Sequence, residues 1–260
     1  MLLVAMKLMN KEKTPMDNFL VEYGMSLSLS GHPNIIETHE IAFQTSNDYV
    51  FVQKVAPAGN LIHSIVKVGL NEDLVKGFVP QVASALDFMH SRGMVHRDIK
   101  LDNILLMDIE CKEVKLADFG LTRLRGTQAP CMAWSIPYTA PELCSLKEGD
   151  QLLLHPSIDV WAFGVLLYTV MTGSFPWEEA GGHDPMYREF AWWQTKKDLT
   201  LAPGKWQQFS MEARQMFWDL LALNASERCS AMDILKYVHL PWTAKMPPEN
   251  LTRKTVIHVI

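Results

Sequence analysis

Two polar blocks set the strongest constraint on this chain: His96-Arg97-Asp98-Ile99-Lys100-Leu101-Asp102-Asn103 and, 20 positions after Asp98, Asp118-Phe119-Gly120. Val95-His96 and Leu105-Leu106 read as short strands on either side of the first block, and Val114 to Ala117 as the strand that delivers Asp118. Both loops should then face one cleft. The residue types fit phosphoryl transfer, in which an acidic side chain orients the attacking hydroxyl and two oxygen donors from different loops hold Mg²⁺ on nucleotide phosphates. Asp98 supplies the first group, and Asn103 and Asp118 the other two.

A cleft needs two bodies of structure to form it, and the sequence divides accordingly near Pro57-Ala58-Gly59. Before that point Val4 to Met9 reads as a strand, Asp17 to Leu29 as a helix ended by Ser30-Gly31-His32-Pro33, and Ile36 to Thr45 and Asp48 to Lys54 as strands. Beyond it, Leu74, Phe78, Val82, Ala85, Leu86 and Met89 mark the apolar face of a helix from about Asn71 to His90. Pro80 should kink that helix. Further helices are expected over Asp159 to Thr172, Met186 to Thr195, Met211 to Leu223 and Ala231 to Val238, and the tail from Thr243 should pack poorly.

Composition narrows the function classes. Charged residues make up 20% of the 260 and the net charge is -5, so no overall field draws the chain to nucleic acid, and no basic patch is evident. The apolar run Val160 to Met171 is too short for the roughly 18 to 20 residues that span a bilayer, and Met1 to Met6 lacks the features of a signal peptide. Cys111, Cys131, Cys144 and Cys229 show no zinc spacing, which fits reduced thiols in a cytoplasmic protein. His96 is expected to pack structurally, and Trp192, Trp193 and Trp206 to fill core or groove positions.

The polar blocks belong to a longer ordered set. Val4-Ala5-Met6-Lys7 matches a strand whose lysine grips phosphates, Glu22 lies on the first helix 15 residues later, and Ala140-Pro141-Glu142 follows Asp118. Asp159-Val160-Trp161-Ala162-Phe163-Gly164 opens the buried helix, and Arg228 comes later. The sequence thus resembles the eukaryotic protein kinases over about Val4 to Trp242. Lys100 and Ser135 resemble the serine/threonine branch. Asn18-Phe19-Leu20, Ala56-Pro57-Ala58-Gly59, Ala85-Leu86-Asp87-Phe88-Met89-His90, Ile136-Pro137-Tyr138-Thr139-Ala140-Pro141-Glu142 and Phe175-Pro176-Trp177-Glu178 look like the SH3-domain-binding kinase family.

The resemblance implies an α+β, bilobal protein-kinase fold with a truncated small β lobe, residues 1–56, a large mainly helical lobe, residues 57–242, and a tail, residues 243–260. It implies ATP and Mg²⁺ as cofactors and a protein substrate phosphorylated on Ser/Thr. Lys7 would contact the α and β phosphates and pair with Glu22. Asp98 would orient the substrate hydroxyl, Lys100 would neutralise the moving phosphoryl group, and Asn103 and Asp118 would ligate Mg²⁺. Ala5 and Leu105 would sandwich the adenine, the backbone of Lys54 and Ala56 would meet its edge, Gln53 would be the gatekeeper and Asn60 would reach the ribose. Glu142 and Arg228 would form a buried structural pair.

Some positions depart from the family pattern. Six residues precede Lys7, so a glycine-rich loop and its two strands are not expected here, which leaves three strands and one helix in the small lobe. A noncatalytic kinase-like scaffold is the alternative function on that ground. Trp134 replaces a glycine, and Lys54 an acidic hinge residue. Thr122, Thr127 and Ser135 are candidate phosphorylation positions with Arg97 as charge partner, and Ser135 also reads as a substrate-positioning hydroxyl. No two prolines have the P-x-x-P spacing, so an SH3-domain partner is not expected.

Overall fold

The computed structural model describes residues 3–64, 69–130, 136–147 and 149–244. Trp134, Ser135, Cys131 and the tail beyond Ala244 lie outside the described residues. The chain opens with strand β1, Val4–Asn10, helix α1, Met16–Leu29, and strands β2, Thr38–Gln44, and β3, Asp48–Lys54. The three strands form one antiparallel sheet in the order β1-β3-β2, with Lys7 opposite Phe51 and Ala5 opposite Gln53. The expected strand from Ile36 starts later, at Thr38, and its pairing is irregular between Thr38 and Ala42. Ile36 instead donates its N–H to the Leu116 carbonyl at 2.9 Å, which fastens the chain to the rest of the molecule before the strand begins.

Helix α2, Glu72–Ser91, starts where Asn71 caps the Asp73 N–H at 2.8 Å, and it runs unbroken through Pro80. Three short strands follow: β4, Met94–Val95, β5, Ile104–Leu106, and β6, Val114–Leu116, with β5 and β6 paired antiparallel. Then come β7, Arg123–Leu124, β8, Gln128–Pro130, helix α3, Pro141–Cys144, and β9, Gln151–Leu153. Strand β4 pairs with β7, and β8 with β9.

Helix α4, Ser157–Thr172, is the axis of the helical region, and every residue from Ser157 to Val170 is buried. A helix that is apolar on all sides must be covered on all sides. Around it stand α5, Pro185–Lys196, and α6, Met211–Leu220, with an aromatic cluster in which Trp161 lies 5.4 Å from Trp177 and Phe190 5.0 Å from Trp206 between ring centroids. Trp193 and Trp206 belong to this core, whereas Trp192 is half exposed with the Lys196 ammonium 5.1 Å from its ring centroid.

Two expected helices are shorter or tighter than the sequence pattern implies. Helix α6 ends at Leu220 rather than Leu223, because Gln194 donates to the Trp218 and Leu221 carbonyls, and Arg228 to those of Ala222 and Leu223. The segment Ala231–Lys236 is a 3₁₀-helix, and its buried residues Ala231 and Ile234 are three apart, the spacing that aligns side chains in that geometry. Among the described residues no helix is long and apolar enough to cross a membrane.

Candidate active site

The period of two along β1 places Ala5 and Lys7 on one half-buried face, while Val4, Met6 and Leu8 point outward. On α1 the buried residues Phe19, Glu22, Ser26 and Leu29 recur at helical spacing, so Glu22 falls on the inward stripe although it is charged. Its burial is tolerable because it meets Lys7. The Lys7 ammonium pairs with Glu22 Oε1 and, at 2.8 Å, with Asp118 Oδ1.

The charges of this trio follow from their surroundings. Burial works against the Lys7 ammonium, but Asp118 and Glu22 outweigh it and hold Lys7 above the ordinary lysine range. Burial also works against the Asp118 carboxylate, yet Lys7 and the Gly120 N–H hold it below the usual range, so Asp118 is ionised. Glu22 is the most buried of the three, at 4% exposure, and burial raises it by more than Lys7 lowers it.

The second cluster forms on the loop between β4 and β5. Asp98 Oδ2 accepts from the Lys100 ammonium at 2.7 Å and from Asn103 Nδ2 at 3.0 Å, and Asn103 Nδ2 also reaches the Asp98 carbonyl at 2.8 Å. With its amide nitrogen committed to Asp98, Asn103 presents its oxygen to other partners. The clusters are stitched together at Ala117, beside Asp118: its N–H donates to the Asn103 carbonyl at 2.9 Å, and its carbonyl lies 3.1 Å from His96 Nε2.

His96 is fully buried and packs edge-on to Phe119 at 5.4 Å. Burial drives its pKa down in spite of nearby carboxylates, so the ring is neutral. The Asp98 N–H donates to Nδ1 at 3.2 Å, which makes Nδ1 the acceptor and Nε2–H the donor to Ala117. His96 thus joins the two loops rather than exchanging protons with a ligand.

Asp159, at the start of α4, is the site residue whose partners sequence reasoning missed. Its Oδ2 accepts from the His96 N–H and lies 2.8 Å from His90 Nε2, while Oδ1 accepts from the Arg97 N–H at 2.8 Å. Arg97 has φ 72°, a left-handed conformation that is costly for a non-glycine residue, and Asp118 has φ 65°. The Asp159 carboxylate anchors one of these turns directly. Burial opposes its charge, but His90 and the backbone donors hold its pKa low. A lone acid at the head of an apolar run was the available signal, since a buried carboxylate needs donors.

The remaining predicted residues fall around these clusters. Gln53 is half-buried and donates through Nε2 to Thr38 Oγ1 at 2.9 Å. The Lys54 N–H donates to the Glu37 carbonyl at 2.9 Å and the Ala56 carbonyl accepts from Gly59 at 3.2 Å, while among the described residues the Ala56 N–H has no acceptor. Asn60 forms an isolated bridge with Leu105, and Gly59 next to it has φ 77°. Arg228 grips Glu142 with two bonds of 2.6 and 2.7 Å. Thr122 is fully buried, which counts against its expected role as an accessible phosphorylation position; Thr127 is exposed.

The protein kinase domain family matches residues 2–240. The chain belongs to the protein kinase family. It is 45% identical to the mouse serine/threonine-protein kinase SBK1 over 254 residues, covering 96% of this chain and 61% of the relative. The zebrafish SBK1 is 46% identical over 92% of this chain and 62% of its own length, and human serine/threonine-protein kinase SBK2 is 37% identical over 92% and 70%. The chain accordingly joins the SBK kinases, and it spans about six tenths of the length of its mouse and zebrafish SBK1 relatives.

Proposed function

We propose that this chain transfers the γ-phosphate of ATP to serine and threonine hydroxyls of a protein substrate. The observation that carries this reading is the Asp98 carboxylate, fixed on one oxygen by Lys100 at 2.7 Å and Asn103 at 3.0 Å on the loop stitched to Asp118. An acid so held orients a hydroxyl, and a lysine beside it neutralises charge on the moving phosphoryl group. Similarity to the serine/threonine-protein kinases SBK1 and SBK2 supports serine and threonine as the accepting residues.

Lys7 would bind the nucleotide phosphates, kept in place by Glu22. The donor set suits a hard cation: the ionised Asp118 carboxylate and the Asn103 amide oxygen are oxygen ligands on neighbouring loops. Among the described residues no three His, Cys, Asp or Glu side chains cluster as a metal cage, which matches a Mg²⁺ ion that takes most of its ligands from phosphates and water. When bound, Mg²⁺ would supply charge neutralisation on the β and γ phosphates. Ala5 and Leu105 would flank the adenine, Lys54 and Ala56 would meet its edge through their backbone beside Gln53, and Asn60 would serve the ribose. The free thiol of Cys229 supports a cytoplasmic setting.

The test is Asp98→Ala. Phosphate transfer to a generic Ser/Thr peptide should fall by about 10²- to 10⁴-fold, because orientation and proton transfer are lost, while nucleotide affinity changes little. Parental turnover in the Asp98→Ala variant would overturn the assignment.

A further inference from the structure

The stretch after Asp118-Phe119-Gly120 is held by backbone hydrogen bonds from Arg123 to Pro130. Arg123 and Leu124 pair with Val95 and Met94, and the Arg125 N–H donates to the Gly93 carbonyl at 2.7 Å. The Gly126 N–H donates to the Leu154 carbonyl at 2.8 Å, and the Leu154 N–H to the Thr127 carbonyl at 3.0 Å. Strand β8 then pairs with β9, with Gln128 opposite Leu153, Ala129 opposite Leu152 and Pro130 opposite Gln151. Each residue from Arg123 to Pro130 therefore has a backbone partner or a paired position outside its own segment.

The partner strand sits in the connection between α3 and α4, residues 145–156. Its side chains alternate as a half-buried strand requires: Gln151 and Leu153 are exposed, Leu152 is half-buried and Leu154 buried, with Ala129 opposite Leu152 at 3% exposure. Thr122, just before the paired stretch, is poorly placed for control by phosphate, and the exposed Thr127 lies where the backbone is already held. Thr122 is fully buried, and the Thr127 backbone is engaged on both sides, its N–H by the Leu124 carbonyl at 3.1 Å and its carbonyl by Leu154. Phosphorylation orders a segment by adding charge-assisted bonds where the backbone has none, and here backbone pairing already does that.

We propose that residues 151–154 are a positioning strand, which holds residues 123–130 in their working place for the transfer reaction without a phosphate on Thr122 or Thr127. The inference rests on the phosphoryl-transfer reading above. Leu152 and Leu154 act through the stretch they hold and touch no substrate themselves.

The experiment uses protein stripped by phosphatase and verified by intact mass, with hydrogen exchange read over 123–130 and over the α4 core, and with kinetics on a Ser/Thr peptide. Leu152→Pro removes a donor and bends β9, and Gly149→Val strains the turn before it, since Gly149 has φ 90°. In the parent, 123–130 should be protected; in Leu152→Pro that protection should drop about 100-fold while the α4 core stays protected. The KM for peptide should rise by about 10-fold with the KM for ATP unchanged, and Gly149→Val should move both readouts the same way and less far. Gly149→Val decides the matter if Leu152→Pro fails to fold. Unprotected exchange over 123–130 in the stripped parent would overturn the proposal. So would a peptide rate that depends on phosphate at Thr127, or parental kinetics in both variants. Protection over 123–130 with no phosphate transfer in any form would overturn the activity reading instead, and would support the strand's hold.

Discussion

A β-carbon on Gly120 would stand 2.8 Å from the Glu22 Oε2, closer than such atoms approach. The missing side chain at Gly120 therefore leaves room for the Glu22 carboxylate, which pairs with Lys7 as Asp118 does.

Gly120→Ala should separate stability from function. The atom in the way is the end of a flexible side chain, so Glu22 can swing aside at a folding cost of about 1 kcal/mol or less. Lys7 then loses one of its two carboxylate partners and keeps Asp118. The expected result is a fall of about 10- to 100-fold in kcat/KM for ATP with little change in melting temperature. Steady-state kinetics and a thermal melt read the two quantities, and parental kinetics would show that the Glu22 position does not matter.

The Glu142–Arg228 pair should behave in the opposite way. The Arg228 side chain is fully buried, and besides Glu142 it donates to the Ala222 carbonyl at 2.9 Å and the Ser157 carbonyl at 3.1 Å. Glu142→Ala leaves that buried cation without its counter-charge, which costs about 3 to 5 kcal/mol, with the two carbonyls keeping the loss toward the lower figure. The His183–Glu179 pair, with His183 exposed and Glu179 half-buried, is the control, since its removal should cost under about 1 kcal/mol. Urea unfolding with a lowered midpoint and an unchanged slope is the expected result for Glu142→Ala.

Elements with a strong local signal were legible in the sequence. Strand β3 begins and ends where its run of Val50, Phe51 and Val52 predicts, and α4 follows from an apolar run too short for a membrane and too long for a strand. The Lys7–Glu22 contact was legible because kinase resemblance fixes the order of the two residues, whereas the bonds among Asp98, Lys100 and Asn103 became visible only in the fold. What else escaped depends on contacts distant in sequence. Gln128-Ala129-Pro130 and Gln151-Leu152-Leu153 have no periodicity worth the name, and each becomes a strand only because the other is beside it. Asp159 read as the head of a helix, and its three donors, 62 to 69 positions away, became visible only in the fold.

Glu72 ties the end of the described chain to the start of α2, and this gives a pH dependence. Its carboxylate accepts from the Trp242 N–H, the Thr243 N–H and the Thr243 hydroxyl, and it pairs with Lys76 at 2.6 Å. Burial opposes the charge, but these donors together lower the pKa from 4.5 to about 2. A group depressed in the folded state adds stability above its unfolded pKa, and that stability is lost as the pH falls from about 4.5 toward 2. With the side chain 23% exposed, the contribution is discounted to about 1 to 2 kcal/mol. Glu72→Gln should be less stable than the parent by that amount at pH 7, and the gap should narrow below about pH 4.5 and close only as the pH reaches about 2. A gap that stays constant with pH, measured by urea unfolding, would rule out the linkage.

Asp118→Asn tests the proposed cation site with the least disturbance of the backbone. Asp118 has φ 65°, and asparagine tolerates that left-handed conformation about as well as aspartate, so the turn should survive. The side-chain acceptor for the Gly120 N–H, 3.4 Å from Oδ1, survives as well. What is removed is one negative charge, and with it both the ion pair that raises Lys7 and the carboxylate ligand proposed for Mg²⁺. Without Mg²⁺, nucleotide affinity should hold or rise, because a carboxylate near the phosphates repels them. With Mg²⁺, the gain that the parent shows should shrink by about 10-fold or more, since Asn103 would be left as the single protein ligand of a strongly hydrated cation. Calorimetric titration of ATP into both proteins, with and without Mg²⁺, reads the difference directly. The same Mg²⁺ dependence in both would place the cation elsewhere and leave Asp118 as a partner of Lys7 alone.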